Sequence, residues 1–196
     1  MNNRTTSSFL ARAGLIAAIY AALTLLTLTL LQGLAWGPVQ LRVSEAACVF
    51  AVLTPAAIPG LTIGCIIANL AGIFINGTGV LGLLDVVCGS AATLLGALWM
   101  WHFREREALA LFGPVLANAL IVPAYLPLLL AAWGYYTIPF TNIDLVGSYP
   151  LMYLFGVVAL GLGEAISVYA LGLPLLRLLR KAGPFAAVAA AEKADL

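Results

Sequence analysis

The sequence predicts an all-helical membrane protein: a compact bundle of six transmembrane helices with both termini on the cytoplasmic side. Three observations predict it. The chain is 63% hydrophobic and 9% charged, where soluble domains average about 45–50% and about 25%. Its apolar residues fall into runs near the ~20 residues that a helix needs to cross a bilayer. Its basic residues gather on one side of the arrangement that those runs imply. A soluble core of 196 residues cannot hide so much apolar surface, so lipid must be part of the solvent. The net charge of +1 carries no sign of a nucleic-acid partner.

The first span is expected over residues 9–31. Its length and the missing A-x-A-like cleavage site point to a retained helix rather than a signal peptide. The next apolar stretch, residues 45–74, contains Thr54-Pro55-Ala56-Ala57-Ile58-Pro59-Gly60. Two prolines and a glycine that close together break a helix, which predicts two helices over 44–55 and 58–75. Asn76-Gly77-Thr78-Gly79 is a turn signal. The fourth span is expected over 84–103. Arg104-Glu105-Arg106-Glu107 must lie in water. The fifth span covers 108–133, with Pro114, Pro123 and Pro127 expected to bend it. Residues 134–149 are aromatic and mildly polar, hence interfacial, and the sixth span covers 150–179. Residues 1–183 form one transmembrane domain and 184–196 a short cytoplasmic tail.

With six spans, Arg4, Arg12, Arg104, Arg106, Arg177, Arg180, Lys181 and Lys193 share one side, which makes eight of the nine basic residues. Only Arg42 lies opposite. The positive-inside rule assigns the crowded side to the cytoplasm. Trp36, Trp133, Tyr135, Tyr136 and Tyr149 fall on the far side, as an aromatic belt would.

A charge inside the hydrocarbon is costly and marks function by default. The candidates are Arg42, Glu45, Asp85, Glu164 and Asp144. Arg42 and Glu45 read either as a helix start with a local ion pair or as the mouth of a pocket. Asp85 reads either as a favourable charge at a helix N-terminus or as a site residue. Glu164 lies well inside the last span, between small residues in Gly161-Leu162-Gly163-Glu164-Ala165, where no capping role exists. It reads as a ligand group or as one half of an interhelical bond. Asn69 and Asn118 join helices or touch ligand. His102, beside the charge cluster, reads as an interfacial residue.

Cys48, Cys65 and Cys88 are unclustered and read as small apolar residues. Ala13, Ala17 and Ala21, with Ala18 and Ala22 beside them, form a smooth stripe on the first helix where another helix can pack closely. The residues show neither a metal site nor a phosphate loop of the G-x-x-x-x-G-K-[ST] type.

Several of these stretches resemble one family. Val39-Gln40-Leu41-Arg42-Val43-Ser44-Glu45-Ala46, the break at residues 55–60, Gly60-Leu61-Thr62-Ile63-Gly64-Cys65-Ile66-Ile67-Ala68-Asn69-Leu70 and Leu84-Asp85-Val86-Val87-Cys88-Gly89-Ser90-Ala91-Ala92-Thr93-Leu94 look like the QueT family. The likeness covers nearly the whole chain. It implies a substrate-binding S-component of an energy-coupling factor (ECF) transporter. The implied substrate is a 7-deazaguanine: pre-queuosine 0, pre-queuosine 1 or queuine. The implied partners are the membrane subunit EcfT and two ATPases, which hydrolyse the ATP; the chain itself needs no cofactor. The stripe Ala13, Ala17 and Ala21 would face EcfT.

A deazaguanine offers a ring N–H and an exocyclic amine side by side, and a carboxylate accepts both strongly. Glu164 is the first candidate for that contact. Asp85 or Glu45 would meet an aminomethyl arm. Asn69, Asn118 or Gln40 would bond the remaining ring edges, with Arg42 at the pocket mouth. Trp133, Tyr135, Tyr136, Tyr149 and Tyr153 would stack on the ring. The alternatives are a stand-alone permease coupled to ions through Asp85 and Glu164, an S-component for another vitamin-like heterocycle, an intramembrane enzyme, and a purely structural subunit. An enzyme would need paired catalytic groups, which the motifs do not supply.

Overall fold

In hydrocarbon a chain must satisfy every backbone N–H and C=O internally, and a leucine- and alanine-rich chain does so most readily as helix. The computed structural model describes residues 3–30, 42–132 and 148–182. Among these residues there are helices and no strand. They are α1 Asn3–Leu30, α2 Phe50–Leu53, α3 Ala57–Asn76, α4 Ser90–His102, α5 Glu107–Ala132, α6 Tyr149–Ala165 and α7 Leu173–Lys181. Tight 3-10 segments cover Val43–Val49 and Gly79–Gly82, and π segments cover Asp85–Gly89 and Ile166–Gly172. These join into five stretches long and apolar enough to cross a membrane: Thr6–Leu30, Ala57–Asn76, Gly79–His102, Glu107–Leu128 and Tyr149–Lys181.

The second expected span is different. In place of a full helix over 44–55 there is a 3-10 segment of seven residues and an α turn of four, Val43–Leu53. It stops at Thr54, which is extended (φ −151°, ψ 138°), because the residue before a proline is driven out of the α region. Every residue from Ser44 to Leu53 is buried. This short piece is therefore a central strut of the bundle, with its own sides shielded from lipid.

Small residues set the helix crossings. A Cβ at Gly60 would lie 2.7 Å from the Ala13 carbonyl oxygen, and one at Gly64 2.7 Å from that of Ala17. Only glycine permits backbones that close. The pairs 13–60 and 17–64 advance together, so α1 and α3 run parallel. The chain between them must then return from one end of the bundle to the other. Elsewhere glycine meets proline: Gly96 on α4 packs on Pro114, and Gly156 on α6 packs on Pro123. Pro114 and Pro123 thus mark crossings of α5 within a continuous 26-residue helix.

Polarity is inverted relative to a soluble protein. Leu10, Leu30, Phe74, Val80 and Leu162 face outward, while Thr24, Ser44, Glu45, Asn69, Asp85, Asn118, Glu164 and Ser167 are buried. The dense charges sit at one end. Arg180 pairs with Glu107 and donates to the Arg104 carbonyl at 3.3 Å. Arg177 approaches Glu107 at 3.6 Å, and the Arg104 guanidinium lies 4.2 Å above the Trp101 ring. His102 is exposed there, edge-on to Phe103.

Candidate functional site

The irregular turns deliver the polar side chains. The 3-10 segment follows directly on Arg42 and carries Ser44 and Glu45. One π segment begins at Asp85, and the other begins two residues after Glu164 and carries Ser167. Widened turns of this kind are frequent at functional sites, because the shifted register re-aims side chains.

Each of the three buried carboxylates has its own polar neighbour. The Tyr20 hydroxyl donates to Glu45 Oε1, and the Cys48 thiol donates to Oε2 at 3.1 Å. The Tyr125 hydroxyl donates to Asp85 Oδ1 at 2.7 Å. The Asn69 amide donates to the Asp85 backbone carbonyl at 2.7 Å, at the head of the π segment. Gly89 leaves the space for this meeting: a Cβ there would lie 3.2 Å from Asn69 Nδ2 and 3.4 Å from Tyr125 Oη. Asn118 lies beside Glu164. Arg42 lies within electrostatic reach of Glu45, Asp85 and Glu164. Cys65 accepts weak bonds from Thr93 at 3.3 Å and Asn69 at 3.4 Å.

Several acceptors in this region are left over. Among the described residues, Asp85 Oδ2, Glu164 Oε2 and Asn69 Oδ1 are buried without a hydrogen-bond partner, as are the hydroxyls of Ser44, Ser90 and Ser167. A buried polar atom left unpaired costs about 1–3 kcal/mol, more when charged. Unpaired buried acceptors on neighbouring elements are free to receive hydrogen bonds from a guest with donors of its own.

The structure thus gathers Arg42, Glu45, Asn69, Asp85, Asn118 and Glu164 as one buried polar zone. Two expectations need correction. Tyr149 and Tyr153 do not join it. The Tyr149 hydroxyl donates to the Ala124 carbonyl at 2.6 Å, and that of Tyr153 to the Leu120 carbonyl at 3.1 Å. Each of those carbonyls lies three residues before a proline, one residue after the carbonyl whose helical donor that proline removes. The tyrosines clasp α6 to α5 from outside, their rings stacked at 6.5 Å. Likewise, Ala13, Ala17 and Ala21 are buried. Their stripe is filled by Gly60 and Gly64 of α3, and the open face of α1 carries Gly14, Ala18 and Ala22 instead. Gln40, Trp36, Trp133, Tyr135, Tyr136, Asp144 and the tail 184–196 lie outside the described residues.

Tyr20, Cys48, Cys65, Ser90, Thr93, Tyr125 and Ser167 are members that sequence reasoning missed. Some signal existed. A phenol deep in an apolar helix needs a hydrogen-bond partner. Cys48 and Ser167 each sit three residues after a buried glutamate, on the same helical face.

A family model described as QueT transporter matches residues 10–181. The chain belongs to the QueT transporter family. The QueT match encloses every residue of the polar zone and both ends of the α1–α3 crossing. Neither the comparison with curated proteins nor that with solved structures returns a match. A transport role in a multi-pass membrane protein follows from the QueT match and the five apolar helices.

Proposed function

We propose that this chain is the S-component of an ECF transporter. In this reading it binds a 7-deazaguanine queuosine precursor in the cell membrane and hands it on with the help of EcfT and two ATPases. The observation that carries the substrate assignment is the pair of open carboxylate oxygens, Glu164 Oε2 and Asp85 Oδ2, inside a lipid-facing bundle. Glu164, beside Asn118, accepts the ring N–H and exocyclic amine. Asn69, through its unpaired carbonyl oxygen, takes a further ring donor. The serine hydroxyls of residues 44, 90 and 167 satisfy the remaining edges.

The membrane arrangement in this proposal has six crossings and both ends in the cytoplasm. The parallel course of α1 and α3 supports it, since two parallel helices in succession need a return crossing between them. The meeting of Arg104, Arg177 and Arg180 at one end supports the cytoplasmic assignment of that end. EcfT would dock on the open face of α1, at Gly14, Ala18 and Ala22.

Calorimetric titration of the purified protein with 7-deazaguanines tests the binding assignment. Binding should be tight, and Glu164→Gln should weaken it at least about tenfold, or about 1.4 kcal/mol. An unchanged affinity in that variant would remove Glu164 as the anchor. Uptake in cells should require an ECF module; uptake without one would instead favour an ion-coupled permease.

A further inference from the structure

The end of the bundle that carries the Arg180–Glu107 pair has more positive charge than it can pair. It holds Arg104, Arg106, Arg177, Arg180 and Lys181 against Glu105 and Glu107, a formal surplus of three positive charges. Both oxygens of Glu107 are engaged: Oε1 pairs with Arg180, and Oε2 lies 3.6 Å from Arg177 Nε. A guanidinium carries five N–H donors in a planar fork, so one carboxylate shared by two arginines leaves most of them over. Among the described residues no carboxylate pairs with Arg106 or Lys181. The surrounding cluster is held in place. Arg180 also donates to the Arg104 carbonyl at 3.3 Å, and Arg104 donates to the Trp101 carbonyl at 3.0 Å while lying over the indole ring.

Helix α7 turns two unlike rows outward. Arg177 and Lys181 follow at i, i+4; the Arg177 side chain is 63% exposed, and Lys181 is exposed as well. Beside them Pro174 and Leu178 have the same spacing and are also exposed, Leu178 at 66%. Residues four apart share a helix face, so a basic row runs next to an apolar one where a lipid-facing span ends. We propose that this face of α7 binds an anionic phospholipid, its phosphate against Arg177 and Lys181 and its acyl chains along Pro174 and Leu178. Charge complementarity selects the headgroup, since guanidinium and phosphate make charge-assisted, fork-shaped contacts. The apolar row selects a lipid over other anions: a soluble acidic partner would meet the basic row and leave Leu178 in water. Basic groups clustered at a membrane boundary recognise anionic headgroups in this way. The site is remote from the buried polar zone and owes nothing to what that zone binds.

The test is thermal melting of the purified full-length protein in detergent, with phosphatidylglycerol or phosphatidylcholine of the same acyl chains added at equal concentration. A ligand of the folded state raises the melting temperature by mass action. Phosphatidylglycerol should raise it by at least about 4 °C more than phosphatidylcholine does. Sodium chloride at about 1 M, which shortens the screening length to about 3 Å, should remove most of that difference. Arg177→Gln combined with Lys181→Gln should reduce the difference below about 1 °C. The melting temperature of that variant in phosphatidylcholine should stay within about 2 °C of the unsubstituted protein, because both side chains are exposed. Equal shifts from the two lipids would overturn the proposal. So would a difference that survives the double substitution, which would place the lipid elsewhere. Inorganic phosphate at the same concentration should give no shift; a shift as large as that of phosphatidylglycerol would overturn the lipid assignment in favour of a free anion. The comparison of the two lipids on the unsubstituted protein is decisive even if the variant fails to fold.

Discussion

Asp85 and Tyr125 show how a single side chain is prepared for work in a membrane. A carboxylate in hydrocarbon needs its lone pairs satisfied or a strongly coupled guest. Tyr125 answers for one oxygen and leaves the other open. Tyr125→Phe removes that donor while keeping the ring. It should lower stability by about 1–3 kcal/mol, the cost of a buried acceptor left unpaired, and should weaken ligand binding by releasing the carboxylate from its fixed direction. Tyr149→Phe is the contrast, because Tyr149 is 51% exposed and reaches only the Ala124 carbonyl. Its affinity for ligand should stay within about twofold, since surface substitutions act within about 0.5 kcal/mol. Titration calorimetry and thermal melting of both variants separate the two roles. Asp85 and Glu164 stand out in the sequence because charges are rare in apolar spans. Tyr20 and Tyr125 do not, because a tyrosine at a membrane-protein position also suits an interfacial belt, as Tyr149 does.

Helices α1 and α3 carry the next lesson. The first helix repeats small residues on two adjoining faces: Ala13, Ala17 and Ala21, and Gly14, Ala18 and Ala22. Both have the i, i+4 spacing of a helix interface, so spacing does not say which face turns inward. Gly60 and Gly64 decide it by sitting against Ala13 and Ala17. Gly64→Leu should therefore lower the melting temperature in detergent sharply. The new side chain would meet a backbone carbonyl, which cannot move aside, and overpacking costs about 1–3 kcal/mol or more. Ala18→Leu, on the open face, should leave the melting temperature within about 2 °C. If the open face receives EcfT, the same substitution should abolish co-purification with that subunit. The break around Pro55 and Pro59 is readable in advance, because proline chemistry is local. The 3-10 and π segments are not, since they answer to packing: Gly172 lies against Val49 and Ala46, where two irregular segments touch.

At the scale of the whole molecule, charge placement and chain direction point the same way. The Glu107 cluster ties Arg177 and Arg180 of α7 to the start of α5, and Arg180 also to the Arg104 carbonyl in the loop before it. Exposed ion pairs of this kind add about 0–1 kcal/mol each, so their worth lies in orientation more than stability. Green fluorescent protein fused to either terminus should fluoresce, and alkaline phosphatase fused there should stay inactive. Active phosphatase at either end would reverse the proposed topology.

Composition alone was enough to place the chain in a bilayer, because free energies of transfer are additive along a segment and need no partner. Hydropathy, proline breaks and basic-residue bias are read in the same way, and they located the long helices and the zone of costly charges. Helix rotation is a different kind of quantity. It depends on which surface of a neighbour fills which groove, and no single segment contains that information. For this reason folding alone settled that Ala13, Ala17 and Ala21 face inward, that Tyr149 and Tyr153 clasp α6 to α5, and that Glu45, Asp85 and Glu164 come within electrostatic reach of one arginine, Arg42.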